Sequence, residues 1–276
     1  MWYNAPFTVV KVLFEIIFGT RDMQAAFNAT RDADGLYQGG LGSGVTNMPD
    51  WNGFNGYRPL LPTTVGIELG DGCGASTYNI LKEDGSTAYA APVPVFFGLK
   101  NPFGHLWRQM DDEFVRCNED TSTTHLVAPS IYGNWTIGNE AGMVAYSTSP
   151  TRCEGYIKQL SYDNLENFPT QTGASSSTYH CDYFWNTSGG TSVFRLCLRG
   201  CPANSGVQSG SAALNVYAAV SSATVALGFA SLRSRRGMDC GPRICVSVLK
   251  GTNGCKSLRC VRCERRCTMD ACTRLR

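Results

Sequence analysis

His180, Cys181 and Asp182 stand in a row and have the residue types of a base, a thiol nucleophile and an orienting acid. An imidazole that takes the thiol proton yields a thiolate that attacks carbonyl carbon. The spacing works against that chemistry. Residues 178–185 are expected to form a strand, and neighbouring strand side chains point to opposite faces. His105, within NPFGHLW, is expected to be a packed structural histidine. A second constellation is Cys260-Val261-Arg262-Cys263, with Cys267 following at four. Thiolates at that spacing can converge on zinc. Yet residues 233–276 hold no histidine and no second CxxC. Asp71 and Glu68 could share a calcium ion, but no loop of regularly spaced oxygens surrounds them. The glycine-rich GLGSG (40–44) and GDGCG (70–74) do not join a clear strand to a helix, as phosphate cradles do. The expectation is no catalytic residue, no metal and no cofactor.

The elements that would position these groups are short. FTVVKVLFEIIF near the start is an amphipathic helix candidate for residues 1–20, interrupted by Lys11 and Glu15. It is too short for a membrane span and lacks the flanks of a signal peptide. Asp34–Gly56 is looped, PVPVFFGL (92–99) starts a strand, and NPFG turns into HLWRQM. The polar, acidic residues 111–125 suggest a surface loop. Residues 133–149 suggest strand, turn, strand. Residues 151–165 could hold a short helix, and TQTGASSS (170–177) a polar loop. Phe194, Leu196 and Leu198 alternate with Arg195, Cys197 and Arg199, the period of a half-buried strand. With 30 Gly and 12 Pro, the chain is one of many turns. The expected class is α+β, with small sheets, one or two helices and long loops pinned by aromatics.

Charge divides the chain. Residues 1–232 carry twelve basic and nineteen acidic side chains, a balance of −7. Residues 233–276 carry twelve basic and three acidic, a balance of +9, and seven of the 13 cysteines. An acidic body is a poor nucleic-acid binder. The six cysteines of the body, Cys73, Cys117, Cys153, Cys181, Cys197 and Cys201, are scattered and are expected to be reduced.

After Leu198 comes the most unusual composition. RGCPANSGVQSGSAALNVYAAVSSATVALG is built from Ala, Ser, Gly and Val, with Tyr217 its one aromatic. Such a run is either a tightly packed small-residue region or a binding face whose side chains vary on a fixed backbone.

RLCLRGCPANSG, the small-residue run and ALGF resemble the end of a C-type-lectin-like domain of the formylglycine-generating, sulfatase-modifying type. More specifically, the chain resembles the variable proteins of diversity-generating retroelements of phages and bacteria. The matching pieces are MQAAFNATRDADGLYQGGLGSGVT (23–46), FNGYRPLLP (54–62), LKNPFGHLWR (99–108), EGYIKQL (154–160) and GASSSTYHCDYFW (173–185). Arg199-Gly200-Cys201 stands where that family has a pair of glycines, and Gly228-Phe229-Ala230 departs from its final arginine. The resemblance implies a lectin-like ligand-binding domain over 21–232, with a variable region at about 200–228. Retroelement diversification rewrites adenines in asparagine codons. Residues 203–227 fit the resulting alphabet except at Gln208. The implied contact residues are Asn204, Ser205, Val207, Ser209, Ser211, Leu214, Asn215, Val216 and Tyr217. Gly200, Gly206, Gly210, Ala219, Ser221 and Gly228 would be the fixed frame. Tyr217 is the best anchor, with a large face and a hydroxyl at small entropic cost.

The resemblance implies a receptor-recognition protein at a phage tail or bacterial surface, binding a host-surface protein or glycan. It implies a homotrimer or tail-assembly partner, and neither nucleic-acid binding nor membrane insertion. Two alternatives stand beside it: a fixed structural tail protein, and an oxidase using Cys197 and Cys201 as the cysteine pair of the formylglycine-generating enzymes. Residues 233–276 are expected to be a disordered or out-of-frame extension, and Phe229–Arg233 to close the last strand poorly.

Overall fold

The structure is a computed structural model. It describes residues 4–42, 61–128, 142–150, 153–186, 192–219, 221–222 and 227–228. Backbone contacts divide the chain into Met1–Leu232 and Arg233–Arg276. The expectations for the tail, its CxxC and Phe229–Arg233 lie outside the described residues.

Helix α1 (Asn4–Phe18) opens the first unit. Pro6 sits in its first turn, where a missing N–H costs nothing. Gly19 ends it at φ 63°, donating its N–H to the Glu15 carbonyl. Two small sheets follow. Strand β1 (Phe27–Arg31) pairs with β2 (Tyr37–Gly39), and β3 (Gly74–Leu81), β4 (Thr87–Phe96) and β5 (Leu99–Lys100) form a three-stranded antiparallel meander. The principal sheet contains β6 (Trp107–Cys117), β7 (Thr123–Val127), β8 (Val144–Ser149), β9 (Gly155–Ser161), β10 (Phe168–Thr172), β11 (Tyr183–Trp185), β12 (Val193–Arg199), β13 (Leu214–Asn215) and β14 (Leu227–Gly228). Its order is β10-β9-β11-β13-β12-β6-β7-β8, with β14 parallel to β6. The sheet curls until its end strands β8 and β10 meet. There Ser149 Oγ donates to the Pro169 carbonyl at 2.6 Å. The class is α+β, as expected, but it is mostly β, and a nine-stranded, nearly closed sheet stands beside the small sheets expected.

Three hairpins share one local design. In residues 32–36, 82–86 and 118–122, the first residue donates its N–H to the fifth carbonyl, and the fourth donates to the first carbonyl. Each carries Asp third and a positive φ fourth, at Gly35 (79°), Gly85 (79°) and Thr121 (69°). Glycine tolerates that conformation; a β-branched residue is strained there. Asp120 Oδ1 steadies the third turn by accepting the Ser122 N–H at 2.9 Å. Thr121→Gly is therefore expected to raise the unfolding free energy by about 1 kcal/mol, measured by urea denaturation. An unchanged or lower value would mean that the turn carries no strain.

The middle strands β6, β7 and β12 of the principal sheet are covered on both faces. On one face, Met110, Val115, Ile157, Phe168, Phe184, Leu214 and Val216 pack with Phe7 of α1. On the other, Phe114, Leu126, Leu196 and Leu198 are covered by Trp107, Met143, Phe194 and Ala218. Each buried Phe contributes about 1.5–3 kcal/mol. Double coverage corrects the reading of β12 as half-buried. Its strand is as expected, but Cys197 and Arg199 are as enclosed as Leu196.

The polar stretch 111–125 is not a loop. It is the body of β6, a five-residue turn and the start of β7. The physical reason is a charge cluster inside the first core. Glu113 receives two bonds from the Arg199 guanidinium, one of them Nε to Oε2 at 2.8 Å. His125 bridges Glu113 and Glu166, its ring nitrogens 2.8 Å from each carboxylate. It also lies stacked on Phe168, with centroids 4.5 Å apart. Arg199 Nη2 donates to the Glu166 carbonyl at 3.1 Å, and Ser147 Oγ to the Glu166 carboxylate. Glu113 of β6 and His125 of β7 thus each face opposite charges, which makes their burial tolerable.

Other expectations are corrected in the same way. Residues 151–165 hold strand β9 and a single 3-10 turn, Asp163–Leu165, rather than a short α-helix. The loop expected at 170–177 starts only after Thr172. The 92–99 strand begins earlier, at Thr87. Of the 133–149 hairpin, β8 falls within the described residues.

Candidate functional site

The nine implied contact residues separate into three groups. Asn204, Ser205 and Val207 lie on a 3-10 segment, Ala203–Gln208, and are exposed or half-exposed. Ala203 fastens this segment against Ala91, Ile80 and Tyr89 of β3 and β4. Gln24 Nε2 fastens it from the other side, donating to the carbonyls of Gly206 at 3.2 Å and Ser209 at 2.8 Å. Gly206 turns the chain at φ 53°, ψ −128°, a conformation that favours glycine.

Ser209, Ser211, Leu214 and Val216 form the second group and are fully buried, which corrects their assignment as contact residues. Ser209 Oγ reaches the Pro202 carbonyl, and Asn167 Nδ2 donates to the Ser211 carbonyl. Leu214 and Val216 belong to the same core as Phe184 and Ile157. Strand alternation explains the division. β13 is an interior strand between β11 and β12, so 214 and 216 point inward while 215 and 217 point outward.

Asn215 and Tyr217, the third group, meet a feature the sequence reading missed. β9, β11 and β13 are neighbours, and their outward positions carry a row of aromatic rings. Tyr156 faces Tyr183 across the β9–β11 ladder, with centroids 5.2 Å apart and planes at 80°. Tyr183 is 4.7 Å from Trp185 at 47°, and Trp185 is 5.3 Å from Trp107 at 88°. Trp185 pairs with Asn215, and Tyr217 lies just beyond, 40 % exposed. The Tyr217 hydroxyl donates to Glu154 Oε2 at 2.7 Å, and Asn186 N donates to the same oxygen at 3.1 Å. Asn215 Oδ1 holds the Tyr217 N–H at 2.8 Å, fixing the turn that presents the ring. Partial burial and the Glu154 carboxylate push the Tyr217 phenol up to about 12, so it stays a donor at neutral pH. The alternation of Tyr183 and Trp185 around buried Phe184 was legible in YFW; their union with Tyr156 required the β9–β11 register.

The chemistry-bearing residues lie elsewhere. His180 and Cys181 are in a turn, with Cys181 at φ 61°, so the strand expected from 178 begins at Tyr183. His180 Nδ1 faces Glu15 of α1, 3.7 Å away, rather than Cys181, and burial lowers its pKa. Burial pushes the Cys181 thiol up to about 12, with Asp22 and Asp182 adding to it. Asp182 is buried, accepts the Ala212 N–H at 2.8 Å, and has its carboxyl pushed up to about 7 by burial. It fills the space beside Gly210, where a Cβ would overlap its carboxylate. Cys197 and Cys201 are both fully enclosed, and burial raises both thiols well above their ordinary range. Neither is poised as a thiolate. All six body cysteines are free. His105 is half-buried, and burial with Arg108 nearby lowers it to about 4. Asp71 spends its carboxylate on the N–H groups of Cys73 and Gly39, and Glu68 accepts from Ser76 Oγ. Among the described residues no cluster of side chains has the makings of a metal site, and no helix is long and apolar enough to cross a membrane.

No protein-family model, no curated protein and no solved structure matches the chain.

Proposed function

We propose that the chain is a ligand-binding, receptor-recognition protein that uses the outward face of β9, β11 and β13 as its contact surface. The supporting observation is the placement of Asn215 and Tyr217. They come from the small-residue run, yet they stand beside a preformed row of Tyr and Trp on a rigid sheet. Aromatic side chains of this kind anchor interfaces because they bury much area with few rotatable bonds. In this reading the scaffold is C-type-lectin-like, and the chain is the variable protein of a diversity-generating retroelement. It would be displayed at a phage tail or bacterial surface for attachment to a host, as an adhesin. Its partner would be a host-surface protein or glycan, and a homotrimer or tail assembly would multiply a modest affinity by avidity. The enclosed thiols of Cys197 and Cys201 favour this reading over the oxidase.

The test is the nucleotide sequence of the locus. A near-copy of codons 200–228 is expected nearby, carrying adenines where the gene differs. Those differences should fall at codons 204, 205, 207, 215 and 217, whose side chains reach the surface. Codons 209, 211, 214 and 216 should match, because variation there would disturb the core. Absence of any near-copy would reduce the chain to a fixed structural protein. Differences concentrated at the enclosed codons would remove this face as the contact surface.

A further inference from the structure

The outward aromatic row has a sign as well as a shape. Glu154 is exposed, and the Tyr217 hydroxyl and the Asn186 N–H, which both donate to it, are neutral. Among the described residues no Lys, Arg or His pairs with it. The neighbouring cation of β9, Lys158, is turned onto the Tyr179 ring, 5.5 Å from its centroid. The rings of Tyr217 and Tyr183 interact with Glu154, Tyr183 in turn contacts Tyr156 and Trp185, and the face of each ring carries negative charge density. Burial raises the Tyr183 and Tyr217 phenols, and neighbouring acidic groups raise both further, the mark of a locally negative surface. The body that carries the row is acidic too, twelve basic against nineteen acidic residues in 1–232.

Ring orientation narrows the ligand. Planes at 80°, 47° and 88° to one another present edges and faces in turn, rather than the flat platform on which a chain of sugar rings stacks. Faceted rings beside an uncompensated carboxylate suit a compact cation, held by charge on one side and by ring faces on the others.

We infer that this surface receives an organic cation, the guanidinium or ammonium of a basic side chain on a partner protein. The inference rests on the ligand-binding reading and names its ligand chemistry. Arg suits the site better than Lys, because its planar group stacks on Trp185 or Tyr183 while donating to Glu154. Tyr217 and Asn215, at the rim, would select what surrounds that side chain.

The experiment uses the full chain and intrinsic tryptophan fluorescence, with Trp185 as the local reporter. Three probes are titrated: N-acetyl-arginine amide, its uncharged citrulline counterpart and a neutral trisaccharide. A saturable change in the millimolar range is expected for the arginine probe. The citrulline probe should be at least about tenfold weaker. Glu154→Gln should weaken the arginine probe at least about fivefold. Glu154 is exposed, and Gln keeps an acceptor for Tyr217 and Asn186, so the variant should fold; its circular dichroism checks this. Equal response to arginine and citrulline, or no response to either, overturns the inference. So does saturable binding of the trisaccharide that is indifferent to Glu154→Gln, which would leave the ligand-binding reading standing. A locus without a near-copy would sink the diversified-receptor reading while leaving an arginine response intact.

Discussion

Arg199→Met is expected to lower the unfolding free energy by about 3–5 kcal/mol. The guanidinium is fully buried, makes two bonds to Glu113 and a third to the Glu166 carbonyl. Met replaces most of the volume but none of the charge. Glu113 and Glu166 would then share His125 as their one cationic partner among the described residues. A buried carboxylate left short of a partner costs far more than the intact pair contributes. Arg199→Met combined with Glu113→Leu should therefore recover more than half of the loss, because the orphaned charge is gone. Urea denaturation of both variants decides the matter. A single variant within about 1 kcal/mol of the parent would mean that water reaches Glu113.

The same cluster shapes the pH dependence. Burial would raise Glu113, but Arg199 and His125 outweigh it and hold the carboxyl down at about 2. A depressed acid contributes stability above its unfolded value near 4.5, lost as pH falls towards 2, roughly 3 kcal/mol in all. Asp112 and Asp182 act with the opposite sign. Burial raises each to about 7, so their contribution is present below about 4 and is lost as pH rises through 7. His125 is opposed by burial but raised overall by Glu113 and Glu166, and its contribution also fades as pH rises above its ordinary value. Stability is expected to peak near pH 5 and to decline on both sides. Arg199→Met should flatten the acid limb. A parent protein most stable at pH 8 would contradict the raised values of Asp112, Asp182 and His125.

Lys11→Met is expected to cost about 3 kcal/mol at pH 8 and about half of that at pH 5. Lys11 is fully buried on the inner side of α1, 2.8 Å from Glu15 Oε1, with Asp182 and His180 close behind. Without its ammonium, Glu15 and Asp182 confront each other. At pH 5 Asp182 can stay protonated, which removes much of the conflict. At pH 8 it cannot. Leu13→Ser, on the same helix, should change stability by less than about 1 kcal/mol, because Leu13 is 41 % exposed. Thermal unfolding of both variants at the two pH values is the measurement. A larger effect from Leu13→Ser would mean that the docking face of α1 is the apolar stripe after all.

That comparison marks where the sequence stops being legible. Apolar spacing located α1, but suggested that Lys11 interrupts a docking face. The helix docks with Asn4, Phe7, Thr8, Lys11 and Phe14 and leaves Leu13, Ile16 and Ile17 outside. Asn4 Nδ2 and Thr8 Oγ1 both reach the Leu165 carbonyl, and Asn4 N reaches Asp112 Oδ1. None of these partners is local. A helix hides a polar stripe only when the surface beneath supplies matching groups, and composition does not reveal that surface.

The candidate site divides along the same line. Local sequence determined what local physics controls: the Asp-Gly turns at 32–36 and 82–86, the strand at Phe194–Leu198 and the small-residue run after it. Tertiary structure alone decided the rest. It turned the acidic stretch 111–113 into a core strand, because Arg199 waits 86 residues away from Glu113. It enclosed Ser209, Ser211, Leu214 and Val216, because β13 is threaded between β11 and β12. It brought Tyr156, Tyr183, Trp185 and Tyr217 to one face through pairings between strands far apart in the chain. Turn geometry depends on a few adjacent residues, so the sequence carries it directly. Burial and shared surfaces depend on register between distant strands, and only the folded sheet fixes that register.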